Sequence, residues 1–168
     1  MIPNLISFSR IVLTIPIIFF ILSGNVYVAA IIFIFAGFTD FLDGFLARKL
    51  DKGSLLGENL DLLADKIFVC TLLIFISFHY DNLIFMFMTI LIVSREISMS
   101  TIRQYYSSLG KTDKIKVNFF GKFKTFFQIS SIGLAIIFLD TDYKVLVETL
   151  IIFATIFSWA SLIYYFYE

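Results

Sequence analysis

The sequence has little of what soluble enzymes use for catalysis and for contact with water. It contains one cysteine and one histidine in 168 residues, and only 15% of the residues are charged. The single cysteine, Cys70, excludes an intramolecular disulfide framework. We interpret the single histidine, His79, as a loop residue, so no histidine-based nucleophile or metal site is expected. The formal net charge is zero, which gives no basis for a nucleic-acid partner.

Apolar residues, by contrast, are abundant. Hydrophobic residues make up 60% of the chain and the mean hydropathy is +0.95, whereas soluble domains are about 45–50% apolar. A membrane-spanning helix needs about 20 apolar residues. The sequence therefore predicts an all-α, polytopic membrane protein that forms a single domain over residues 1–168. We expect a bundle of six transmembrane helices, at about 4–22, 26–48, 58–78, 83–107, 121–139 and 145–166.

The basic residues predict the orientation of these helices. Of the thirteen lysines and arginines, only Lys144 lies near the face that carries the three short connections at 23–25, 79–82 and 140–142. Positive residues stay on the cytoplasmic side. Both termini and the longer loops at 49–57 and 108–120 should therefore be cytoplasmic, in a cell (inner) membrane.

Four aspartates carry most of the chemical information. Asp40 and Asp43 are three residues apart and Asp61 and Asp65 are four apart, so each pair shares one helix face. The loop between the two helices makes them antiparallel neighbours, and the four carboxylates can converge near the cytoplasmic side. Mutual repulsion and burial are costly unless a cation compensates them, and an all-oxygen ligand set suits Mg²⁺ or Mn²⁺, with room for two ions. The alternative is that these are helix-end carboxylates solvated at the interface.

The residues around the aspartates suit a phosphate ligand. Gly44 and Ala47 are small enough to let a flat ligand approach the helix, and Arg48 can bind a diphosphate through two hydrogen bonds. Gly57 opens the third helix, where free N–H groups suit phosphate, although turn glycines are the more common explanation.

The spacing D-x2-D-G-x2-A-R-x8-G-x3-D-x3-D resembles the signature of the CDP-alcohol phosphotransferase family, and all eight fixed positions are filled. The resemblance implies that the aspartates hold two divalent metal ions and that Asp65 is the catalytic general base. It also implies that the CDP and diphosphate site is formed by these aspartates and the residues around them. The residues expected in that site are Asp40, Gly44, Ala47, Arg48, Gly57 and Asp61.

A second group of charged residues bears on the acceptor alcohol. Arg95, Arg103, Lys122 and Lys124 would form a cationic pocket, which an acceptor that carries its own phosphate would need. The alternative is that the lysines extend to the interface and only satisfy the charge bias. Glu96 precedes Arg103 by seven residues and shares its helix face.

The arrangements R-E-x6-R and G-K-x-K-T-x2-Q, with the opening P-N-L-I-S-x-S-R, resemble the branch of the family that makes phosphatidylglycerophosphate. Leu62, where proline is frequent, is a departure that removes no ligand. The implied reaction joins CDP-diacylglycerol and sn-glycerol 3-phosphate to give phosphatidylglycerophosphate and CMP at the surface of the lipid bilayer. The resemblance also allows a homodimer.

Two alternatives stay open at this point. The same chemistry could use phosphatidylglycerol as acceptor, as in a cardiolipin synthase, or inositol phosphate, as in a phosphatidylinositol phosphate synthase. A divalent-cation transporter is the alternative from another class, because acidic residues inside a membrane mark ion paths. Against it, the carboxylates gather at one face of the membrane, and the neighbouring basic residues would repel a cation.

Overall fold

In a computed structural model, the described part of the chain forms six helices. The structure describes the backbone of residues 2–50, 55–110, 119–138 and 140–167, and the side chains of 8–39, 60–110, 119–138 and 140–165. Within these ranges there is no strand, which confirms the all-α prediction and the number of helices. The bounds of the helices are α1 Ile2–Leu22, α2 Val26–Leu50, α3 Leu55–His79, α4 Leu83–Ser108, α5 Phe119–Phe138 and α6 Lys144–Tyr167.

The described surface is strongly apolar. Large hydrophobic side chains are exposed on all six helices, and the most exposed of them, Phe78, has 87% of its surface accessible. Such an extensive apolar surface is unusual in a soluble monomer. Within the described residues, two stretches, Leu83–Ser108 and Lys144–Tyr165, are long and apolar enough to cross a bilayer. These features are those of a membrane protein, while the six-span topology stays a prediction.

The first compact unit comprises residues 1–75. α1 and α2 pack against each other and are joined by a tight turn at Gly24, whose φ of +74° favours glycine. The amide of Asn25 donates to the carbonyl of Phe20 at 2.9 Å and closes this turn. Phe33 of α2 stacks on Phe68 of α3, with ring centroids 5.7 Å apart. These contacts hold three helices in one apolar core.

The second compact unit comprises residues 76–168, and α6 packs against both α4 and α5 within it. The rings of Phe127 on α5 and Phe157 on α6 are stacked 5.4 Å apart. Asn82 caps α4 by accepting from the amide of Phe85 at 2.8 Å, and its side-chain amide donates to Glu148 on α6, also at 2.8 Å. The predicted single domain over 1–168 stays a prediction.

α4 and α6 run parallel, because contacts farther along α4 meet residues farther along α6. The contact between Asn82 and Glu148 is followed by one between Arg95 and the carbonyl of Ser158, and then by the packing of Met99 on Leu162. This arrangement places Arg95 of α4 against the backbone of α6 at Ser158.

Tyr80, in the connection between α3 and α4, anchors that connection to α5. Burial raises the pKa of its phenol, and the nearby Asp140 carboxylate adds to the rise. The hydroxyl therefore stays protonated and donates to the carbonyl of Ile136 at 3.1 Å.

Candidate functional site

Six of the predicted site residues lie in helical segments whose side chains are outside the described residues. Asp40, Asp43, Gly44, Ala47 and Arg48 lie in the last part of α2, and Gly57 lies in the first turn of α3. Their assignment to the metal and CDP sites stays a prediction.

The other two predicted metal ligands, Asp61 and Asp65, lie one turn apart on α3. Both accept from the guanidinium of Arg10 on α1: Nη2 donates to Oδ1 of Asp61, and Nη1 donates to Oδ1 of Asp65. The Arg10 side chain is 2% exposed, whereas the two carboxylates are 44% and 45% exposed. One buried cation therefore holds two half-exposed carboxylates on the same side of α3, as their spacing predicted.

Sequence reasoning did not identify Arg10 as a partner of the aspartates. The available signal was its position inside the apolar first helix, because an ionisable residue in such a segment usually faces the protein interior and pairs with another charge.

The carboxylate pair has the donor chemistry of a divalent-cation site. Within the described side chains, no group of three or more histidine, cysteine, aspartate or glutamate residues could hold a metal ion. Asp61 and Asp65 supply only half of the predicted ligands, since Asp40 and Asp43 are not described. Their oxygens converge on one positive group and are partly accessible, and oxygen ligands of this kind suit a hard ion such as Mg²⁺ or Mn²⁺. The chemistry of Asp61 and Asp65 therefore fits a divalent metal ion.

A second cluster of charges lies in the second unit and is centred on Glu96. Its Oε1 accepts from Nη1 of Arg95 at 3.1 Å and pairs with Nζ of Lys124 on α5. Nε of Arg95 donates to the carbonyl of Ser158 on α6 at 2.9 Å. Arg95 and Glu96 are both buried, with 4% and 6% of their surface exposed. Three helices thus contribute to one buried polar cluster, in which Glu96 and Ser158 had not been predicted.

The cluster carries more positive than negative charge. Arg103 is close enough to Arg95 and Lys124 for the positive charges to repel one another, and its buried Nε has no hydrogen-bond partner among the described side chains. The structure therefore brings together three of the four cations predicted for the acceptor. Lys122 is exposed and, two residues before Lys124, is turned by about 200° around the helix, so its predicted role stays a prediction.

The fold and these residues define a helical membrane protein with a paired-carboxylate site and a buried, cation-rich cluster. Sequence comparison identifies the family to which this protein belongs. The chain belongs to the CDP-alcohol phosphatidyltransferase family, whose sequence profile matches residues 1–166. This confirms the resemblance noted from the acidic signature.

Three similar proteins indicate where in this family the chain lies. A protein of Haemophilus influenzae is 36% identical over 138 residues, which cover 79% of this chain and 73% of the relative. A protein of Wigglesworthia glossinidia brevipalpis is 32% identical over 171 residues, covering 99% and 93%. A protein of Yersinia pestis is 36% identical over 137 residues, covering 78% and 74%. All three are named CDP-diacylglycerol–glycerol-3-phosphate 3-phosphatidyltransferase.

Proposed function

We propose that the protein transfers the phosphatidyl group of CDP-diacylglycerol to sn-glycerol 3-phosphate and produces phosphatidylglycerophosphate and CMP. The relatives are named for this reaction. The observation that carries the choice of acceptor is the cluster around Glu96, where Arg95 and Lys124 pair with one carboxylate and Arg103 is close enough to both cations for the positive charges to repel. A buried surplus of positive charge suits an acceptor that carries its own phosphate, whereas an uncharged alcohol would leave it uncompensated.

The reaction is one in-line displacement at phosphorus. The free hydroxyl of glycerol 3-phosphate attacks the phosphorus that bears the diacylglycerol, the new oxygen–phosphorus bond forms, and the bond to CMP breaks. Asp65 accepts the proton of the attacking hydroxyl. Nη1 of Arg10 donates to Oδ1 of Asp65, and the carboxylate is about half exposed, which is consistent with a base that reaches its substrate from the accessible side.

Asp40, Asp43, Asp61 and Asp65 would hold the divalent cations, which we propose are two Mg²⁺ or Mn²⁺ ions. When bound, these cations neutralise the diphosphate and the charge on the departing CMP. Arg48 binds the diphosphate, and Gly44, Ala47 and Gly57 leave room for the nucleotide against the helix backbone. Asp40 and Asp61 belong to both the metal site and the CDP site.

Four further elements of the proposal concern the setting of the enzyme. All six helices span the cell (inner) membrane, both termini are cytoplasmic, the active site opens at the cytoplasmic face, and two copies form a homodimer. The predominance of basic residues near one face supports this orientation. Cysteines placed in the 49–57 loop and in the 140–142 connection should label from opposite sides of the membrane. Labelling of both from one side would exclude the topology.

The test of the reaction is the release of CMP by the detergent-purified protein. The protein is incubated with CDP-diacylglycerol and Mg²⁺, with and without glycerol 3-phosphate, and phosphatidylglycerol and inositol phosphate are tested in parallel. Release that requires glycerol 3-phosphate supports the whole proposal. Release with one of the other acceptors only would retain the carboxylate chemistry and overturn the role of the Glu96 cluster. No release with any alcohol, from folded protein, would exclude the reaction.

A further inference from the structure

We infer that Arg10 is a positioning residue for Asp61 and Asp65, and that it is the internal counter-charge that holds these carboxylates side by side when no divalent cation is bound. The inference rests on the proposed function, because it takes Asp61 and Asp65 as metal ligands. It adds a residue of α1 to a site that the sequence placed on α2 and α3 alone.

The geometry of the contact supports this role of Arg10. The guanidinium is planar and presents its donors in a fixed fork, unlike the single ammonium of lysine. In this protein the two terminal nitrogens of Arg10 bind two different carboxylates, one nitrogen to each. The fork therefore sets the distance between the two carboxylates as well as the direction of each.

Arg10 and the two aspartates also differ strongly in burial. Arg10 is almost fully buried, whereas Asp61 and Asp65 are each nearly half exposed. Arg10 thus approaches the carboxylates from the protein interior and leaves their outer side accessible. Groups behind metal ligands typically orient them in this way.

The local structure of α1 fixes the backbone at Arg10 and offers a control residue. The hydroxyl of Thr14 donates to the carbonyl of Arg10 at 3.1 Å, and both side chains are buried. Thr14 lies one turn along the same helix and contributes polar atoms, but no charge, to the same buried surface. It therefore provides a matched control for the packing of α1.

These observations lead to a specific expectation. Without Arg10, the carboxylates one turn apart on α3 repel each other, and a divalent cation relieves this repulsion. Loss of Arg10 should therefore lower the stability of the metal-free protein much more than that of the metal-bound protein. A residue that only fills space would lower both equally.

The experiment measures the melting temperature of the detergent-purified protein in EDTA and in excess MgCl₂, and repeats the measurement with MnCl₂. The variants are Arg10→Gln, Arg10→Lys and the control Thr14→Val. We expect the metal-free melting temperature of Arg10→Gln to fall by roughly 5–10 °C, and its rise on adding Mg²⁺ to be about twice that of the wild type. Arg10→Lys keeps the charge and loses the fork. Its melting temperature should rise on adding Mg²⁺ by an amount between those of the wild type and Arg10→Gln. Thr14→Val should show the wild-type rise.

The outcomes separate this inference from the proposed function. If the wild type gains no stability from either ion, the proposed metal site is wrong. If the metal ion raises the melting temperature of the wild type, and raises that of Arg10→Gln by no more, the metal site stands and the role of Arg10 is refuted. If Arg10→Gln does not fold in either buffer, Arg10→Lys decides, and a rise equal to that of the wild type overturns the inference.

Discussion

Replacing Glu96 by glutamine should destabilise the protein strongly. The substitution keeps the shape of the side chain and removes its charge, so Arg95 and Lys124 lose the carboxylate that they share. Arg95 is 4% exposed and Lys124 is 16% exposed, so neither cation can be solvated in place. Breaking a buried ion pair by removing one partner costs about 3–5 kcal/mol. This is at or beyond the upper end of the usual ~0.5–3 kcal/mol for a point substitution.

Thermal unfolding in detergent measures this effect. For a chain of this length, about 1 kcal/mol corresponds to roughly 2–4 °C, so Glu96→Gln should lower the melting temperature by roughly 6–20 °C. The control is the double variant Glu96→Gln/Lys124→Met, which removes one of the two unpaired cations and should recover part of the loss, because contacting residues are not additive. A single variant that melts within about 1 °C of the wild type, which is the behaviour of an exposed pair, would refute the reasoning.

Three other substitutions test the remaining assignments. Asp65→Asn should abolish CMP release while the protein still binds CDP-diacylglycerol in an equilibrium binding assay; near-normal turnover would show that Asp65 is not the base. Lys124→Met should raise the KM for glycerol 3-phosphate by about 10–100-fold, which is the loss expected for a hydrogen bond to a charged group. The matched control is Lys122→Met, on the exposed side of α5, which should raise this KM less. Equal increases would show that the two lysines do not differ in their role. Asn82→Ala removes the cap of α4 and the hydrogen bond to Glu148, so it should lower the free energy of unfolding by about 1–2 kcal/mol and leave the KM values unchanged; a changed KM would contradict a purely structural role.

The helices could be predicted from the sequence because apolar runs and short polar connections mark their ends. The predicted helix at 26–48 is observed as Val26–Leu50, and the one at 83–107 as Leu83–Ser108. The largest difference is at the 49–57 loop, where the added helical residues are Leu55, Leu56 and Gly57. α3 begins at Leu55, three residues before the predicted start.

The site could be predicted only in part. The shared face of Asp61 and Asp65 follows from helical spacing, and their common contact with Arg10 bears this out. That contact itself joins residues more than fifty positions apart and depends on how α1 packs on α3. The bond from Arg95 to Ser158 ends on a backbone carbonyl, and a sequence pattern carries no signal for which carbonyl will be met. Which of Lys122 and Lys124 faces the Glu96 cluster depends on the rotation of α5 about its own axis, which the sequence does not define.

The contact between Arg10 and the α3 aspartates also has a consequence for the synthesis of the protein. Arg10 precedes Asp65 by 55 residues, so at about 5–20 residues per second this partner emerges roughly 3–11 s after it. The fork of Arg10 therefore closes on Asp61 and Asp65 only after the third helix has been made. The orientation of these two carboxylates is thus fixed late in the synthesis of this unit, by a residue from its first helix.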